Sequence, residues 1–212
     1  MAAPYSWTAG VAGQDTGANA GALNIAAVEL SHALESATPS GRAYWDDFDL
    51  TSPPVPTFYC TAKVTSLGCT PSIRSTGASS ATQHSGFTVY SINHPSHKTG
   101  TMLYSSTGHA ATPFQAGFLC EAAAIKRAIP LSTGGTYPPT NCSGVFSLDI
   151  NKYAIGDYYP LPYPNPPFAN QPAAFLLVPG TAVDAQFWGR DPGYLPPNNS
   201  TLSAGIEFTI GV

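Results

Sequence analysis

From residue 87 onward, apolar and polar side chains alternate with period two in one short segment after another, the signature of half-buried strands. The runs are Phe87 to Ile92, Thr101 to Ser105, Val145 to Ile150, Phe175 to Val178 and Val183 to Trp188. The last run is the cleanest, with Ala204, Ile206, Phe208, Ile210 and Val212 on one side and Gly205, Glu207, Thr209 and Gly211 on the other. Ser85-Gly86, Thr99-Gly100, Gly134-Gly135 and Pro179-Gly180 read as turns between them. Glu121 to Ala128 is the one helical candidate here, and its basic pair Lys126-Arg127 suits an exposed edge strand as well. Strands at this spacing without crossover helices predict an all-β fold, an antiparallel β-sandwich of jelly-roll-like form with long Pro-rich loops and an N-terminal extension.

The earlier part of the chain reads differently. Residues 10–22 are mostly Gly, Ala, Asn and Thr and form a loop; Ala22 to Leu30 reads as a strand, with a helix over 28–34 as the competing reading. Gly41 to Leu50 is a further strand. Pro53, Pro54 and Pro56 then stiffen an extended linker. The expected division is residues 1–52 as an extension or the terminal strands of an incomplete jelly roll, 53–58 as linker and 59–212 as the sandwich. Six prolines between Tyr158 and Pro172 exclude a central strand there and leave a long irregular loop.

Composition narrows the function classes. The chain has 212 residues, of which only 9% are charged, with 8 basic and 12 acidic groups. Average soluble domains carry about 25% charge. Eight scattered bases cannot line a phosphate backbone, so nucleic acid is not an expected partner. No apolar run reaches the roughly 20 residues of a membrane-spanning helix. The four cysteines, Cys60, Cys69, Cys120 and Cys142, lack zinc-site spacing. Two disulfides are expected, and local closure pairs 60 with 69 and 120 with 142; four buried thiols are the alternative. Met1-Ala-Ala-Pro4 has neither the basic nor the apolar part of an export leader, so export would rely on a leader outside this sequence or on another route.

Candidate chemistry is sparse. Arg190-Asp191-Pro192-Gly193 directly follows Trp188 and is turn chemistry; as a sugar-binding loop, it would offer Trp188 for stacking with Arg190 and Asp191 to orient hydroxyls. Asp184 and Gln186 share the Trp188 face and join that candidate ligand set. Asp184 and Glu207 on neighbouring strands are the one acid pair placed for glycoside hydrolysis, and exposed polar positions on a sheet account for them equally. His94-Pro95-Ser96-His97, with His109 nearby, has spacing that a helix would convert to metal binding, but Pro95 bars the helix. Asp46, Asp47 and Asp49 form an acidic cluster in which Asp46 and Asp47 are calcium candidates, although adjacent strand residues point to opposite faces. No nucleophile elbow and no phosphate-binding glycine motif occurs, so no reaction is expected and no cofactor beyond a structural calcium.

Two resemblances add to this. Val28-Glu29-Leu30 followed by Gly41-Arg42-Ala43-Tyr44-Trp45-Asp46-Asp47-Phe48-Asp49-Leu50 resembles the last two strands of carbohydrate-binding-type jelly rolls. That likeness implies a calcium ligand at Asp46 or Asp47. From Tyr59 onward the chain resembles uncharacterised, disulfide-containing domains that close large secreted bacterial proteins. The motifs are Cys60-Thr61-Ala62-Lys63, Gly68-Cys69-Thr70-Pro71, Pro113-Phe114-Gln115-Ala116-Gly117, Asn141-Cys142-Ser143-Gly144 and Gln186-Phe187-Trp188-Gly189-Arg190-Asp191-Pro192-Gly193. This implies secretion, a terminal β domain and disulfides. The expectation is a secreted or cell-surface, non-catalytic β-sandwich for attachment or ligand binding, with glycan as the leading ligand. The alternative is a subunit of an extracellular filament or surface layer, built when residues 1–52 complete a sheet in another copy of the chain.

Overall fold

A computed structural model describes residues 54–157 and 172–212. The readings over residues 1–53, including Asp46 and Asp47, and over the loop to residue 171 lie outside these residues. Within them the fold is an all-β antiparallel sandwich. Its large sheet has the order β1-β12-β10-β4-β7, from β1 (Thr57–Tyr59), β12 (Gly205–Thr209), β10 (Ala182–Arg190), β4 (Thr99–Ser105) and β7 (Lys126–Arg127). Short β11 (Ser200–Leu202) pairs with β10, and β8 (Leu131–Ser132) with β4. A smaller sheet runs β2 (Ser72–Thr76), β3 (Thr88–His94), β9 (Gly144–Asp149). Strands β5 (His109–Phe114) and β6 (Gly117–Glu121) form a separate hairpin.

Alternation decides which face meets which layer. In β10, Val183, Ala185 and Phe187 are fully buried and join Met102, Tyr104, Ile206 and Phe208 on the inner face of the large sheet. Ile73, Val89, Phe146 and Leu148 complete the same core from the smaller sheet, with the Phe146 and Phe187 rings stacked at 5.8 Å. The polar positions Asp184, Gln186 and Trp188 occupy the opposite, outer face. The β5–β6 hairpin lies over that face: Gln186 donates to Phe118 O at 3.0 Å and accepts from Cys120 N, and Trp188 Nε1 donates to Gln115 Oε1 at 3.2 Å.

Several readings are corrected. Phe175 to Val178 is a 3-10 turn over Ala174–Leu177 with only Leu176 buried; a short apolar run between prolines carries no period to distinguish strand from helix. The strand read as Val145 to Ile150 ends at Asp149, whose side chain caps helix α1 (Ile150–Ala154) by accepting from Lys152 N. Thr99-Gly100 lies inside β4, where a Cβ on Gly100 would strike the Phe146 ring. The chain instead crosses between sheets at Pro95–Lys98, with His97 at φ 53°. Lys126-Arg127 is the exposed edge strand β7 and not a helix. Thr57 and Phe58, counted with the linker, open β1 opposite Glu207 and Ile206.

The disulfide pairing is also corrected: Cys60 joins Cys120 and Cys69 joins Cys142, over sequence separations of 60 and 73 residues. Local closure is a weak guide, because doubling a loop adds only about 0.6 kcal/mol of closure entropy. Docking the hairpin on the outer face decides the pairing instead, by bringing β6 over the junction of β1 and β12. A Cβ on Gly205, opposite Tyr59, would meet Cys120 Cβ at 3.0 Å and the Tyr59 ring at 2.6 Å.

Candidate functional site

The outer face of the large sheet and the hairpin enclose a polar cluster assembled from five strands. Asp184 of β10 and Glu207 of β12 are direct cross-strand partners, so their side chains leave the sheet side by side. His109 opens β5 opposite Glu121 of β6. Its Nε2 lies 3.2 Å from Asp184 Oδ1 and 2.9 Å from Glu207 Oε2. Tyr59 of β1 stacks on the imidazole with ring centroids 3.6 Å apart, and its hydroxyl donates to Asp184 Oδ1 at 3.0 Å. The Cys60–Cys120 bond is flanked in sequence by Tyr59 and Glu121, so it ties two walls of the cluster together.

Electrostatics follow from burial and charge. The side chains of His109 and Glu207 are 46% and 35% exposed, whereas Asp184 is 1% exposed. Glu121 is equally buried, and neither its oxygens nor Asp184 Oδ2 meets a donor at hydrogen-bond geometry. Burial pushes the Glu121 carboxyl up to about 8; nearby backbone N–H groups of Glu121 and Cys120 oppose this and the Asp184 charge adds to it. Burial likewise raises Asp184, while the Tyr59 hydroxyl and His109 pull it back and Glu207 pushes it further up. Burial and the surrounding carboxylates hold Tyr59 far above the ordinary phenol range. The cluster is thus rich in acceptors and short of donors, an arrangement suited to retaining protons or a cation.

Other residues read from the sequence have different surroundings. Gln186 is buried and spends its amide on Phe118 O, Ser203 O and Cys120 N. Asp191 is buried, and both oxygens accept from Ser66, from its backbone N–H at 2.7 Å and its hydroxyl at 2.5 Å. Trp188 is half-buried and Arg190 exposed at the same end of β10. His94 is a core residue between Ser91 Oγ at 2.8 Å and Thr201 Oγ1 at 3.0 Å, and burial lowers it to about 3. His97 stacks on Tyr137. The histidine pair therefore serves the crossover between sheets, not a common site.

Beside Trp188 lies a shallow groove of about 380 Å³ lined by Lys63, Val64, Gly117, Phe118, Tyr194 and Asn198. Lys63 is buried, donates to Gln115 O at 2.7 Å and Asn198 O at 2.5 Å, and stands 4.7 Å from the Tyr194 ring centroid. Burial lowers its pKa and Asp191 partly restores it. Tyr59, His109 and Glu121 were missed as partners of Asp184 and Glu207, as was the whole hairpin. Its turn, Gln115-Ala116, takes φ of 49° and 59° without the Asn or Gly that normally announces such a turn.

Comparison of the chain with protein-family models, with curated proteins and with solved structures finds no match. The two disulfides are compatible with an extracellular location, and no helix among the described residues is long and apolar enough to cross a membrane.

Proposed function

We propose that this chain is a secreted or cell-surface, non-catalytic attachment module that binds glycan in the groove beside Trp188. The observation that carries the reading is a shallow, preformed surface combining an accessible Phe118, 40% exposed, and the Tyr194 ring with the exposed polar side chain of Asn198. Aromatic faces with a few fixed polar groups suit the apolar faces and hydroxyls of a sugar. Trp188 adjoins the groove through its bond to Gln115, the residue before Ala116 of the lining; Gln186 supports Phe118, Asp191 supports Ser66, and neither they nor Arg190 line it. The non-catalytic reading is supported by the surroundings of the acid pair: Asp184 is 1% exposed and its Oδ1 is taken by the Tyr59 hydroxyl and His109, whereas glycosidase carboxyls stand open on either side of the bond they break.

A glycan array followed by calorimetry tests this reading. The full chain should bind at least one glycan class, and Phe118→Ala with Tyr194→Ala should abolish binding while leaving the circular dichroism unchanged. Binding that survives both substitutions, or no binding to any glycan, refutes the reading.

A second reading, the filament subunit, is favoured by the rim between β1 and β2. There β2 is the edge of its sheet among the described residues, and a groove of about 410 Å³ is lined by Val55, Phe58, Phe87 and Phe208. A strand from residues 1–52 of another copy would add to that edge. Size-exclusion chromatography should then show polymers that deletion of residues 1–52 disperses; a monomer at all concentrations refutes it.

A further inference from the structure

His109 Nε2, Asp184 Oδ1 and Glu207 Oε2 come from three strands and converge on one point of the outer face. One imidazole N–H serves a single acceptor well, yet here it faces two carboxylate oxygens. Behind them, Asp184 Oδ2 and both Glu121 oxygens are buried without a well-formed hydrogen bond, with only the backbone N–H groups of Gly108, Cys120 and Glu121 near the two carboxyls, in side chains that are 99% removed from solvent. Glu121 is close enough for its charge to act on both Asp184 and Tyr59. Buried polar atoms in native folds nearly always have partners, and three such atoms stand here beside an imidazole shared between two acceptors. We propose that His109, Asp184 and Glu207 ligate one divalent first-row transition cation of the zinc type, with Glu121 as the buried carboxyl behind it.

The donor set selects the metal class. One imidazole nitrogen with two carboxylate oxygens suits zinc and its neighbours, with a fourth position left to water. Calcium takes six to eight oxygens and has little use for imidazole. Two ligating carboxylates balance a divalent charge. The half-exposed His109 and Glu207 provide the entry path, and Asp184 closes the inner side. The site is also held ready: Tyr59 fixes the imidazole plane by stacking, and the Cys60–Cys120 bond fixes Tyr59 against Glu121. This inference is independent of glycan binding in the groove beside Trp188.

The test uses the full chain with both disulfides intact, stripped with EDTA, exchanged into chelator-free buffer and titrated calorimetrically with ZnCl2. Wild type should bind one equivalent, and so should the control His84→Ala at an exposed histidine. His109→Ala and Glu207→Gln, both at partly exposed side chains and checked for fold by circular dichroism, should each weaken binding at least tenfold. Co2+ should give visible absorption bands in wild type that His109→Ala lacks. The proposal is overturned if wild type takes up no stoichiometric zinc, if binding survives either substitution, or if Ca2+ binds more tightly than Zn2+.

Discussion

Replacing His94 with Gln should convert an acid-sensitive fold into a less sensitive one. Burial lowers the His94 imidazole from 6.5 to about 3, so the unfolded chain accepts a proton near pH 6.5 that the folded chain refuses until far lower. Stability from the neutral ring is therefore complete above pH 6.5 and lost as pH falls toward 3, at about 1.4 kcal/mol per pH unit and about 5 kcal/mol in all. At pH 7.5 the variant forfeits well-formed contacts to Ser91 and Thr201 and the ring edge against Phe146. That loss should cost about 2 kcal/mol. Urea unfolding followed by circular dichroism from pH 7.5 to 4.5 then yields a difference that starts in favour of wild type. It should cross zero near about pH 5 and reverse below it. Carboxylates titrating in the same range are common to both proteins and cancel. A difference that stays constant over the whole range would refute the argument, because it would mean His94 is protonated in the fold at no special cost.

Glu121 works in the opposite sense. With its carboxyl raised from 4.5 to about 8, the folded chain keeps a proton that the unfolded chain has lost, so its contribution declines as pH rises through that window. Glu121→Gln, in EDTA, should gain on wild type by about 1.4 kcal/mol per pH unit between pH 5 and 8, and parallel unfolding curves would contradict this. The double variant Cys60→Ala/Cys120→Ala opens a 60-residue loop and should lose about 4 kcal/mol, while thiol titration in denaturant finds no free cysteine because Cys69 and Cys142 remain joined; two free thiols would show the pairing to be wrong. Gly205→Ala places a methyl against the Tyr59 ring and Cys120, and a loss of about 1 to 3 kcal/mol with a lower Tm is expected; an unchanged Tm would show that the ring has room to move.

Strands whose side chains divide cleanly between core and outer face were legible in the sequence. β3, β4, β9, β10 and β12 follow from alternation because each has one face in the common core, and period two is what a half-buried strand imposes. Elements without such a division were not legible. The β5–β6 hairpin lies outside the common core, contains Pro113 and turns through Gln115-Ala116, so neither burial pattern nor turn residue marks it. Ala174–Leu177 is too short to display any period. The even cysteine count foretold two bonds, but their partners depend on which strands lie over which, a property of the assembled sheets.

The same reasoning explains why only part of the candidate site was visible. Asp184 and Glu207 stand out because alternation and strand order alone set them beside each other. His109 and Glu121 reach them through the hairpin, and Tyr59 through the short edge strand β1, two elements whose position is fixed by docking and by the Cys60–Cys120 bond. That bond carries information no single segment holds: it joins the residue after Tyr59 to the residue before Glu121. A buried acid with unpaired oxygens weakens the fold unless something offsets it. Its place beside a disulfide and a stacked imidazole, at the meeting point of β1, β6, β10 and β12, marks this corner as the part of the sandwich least explained by packing alone.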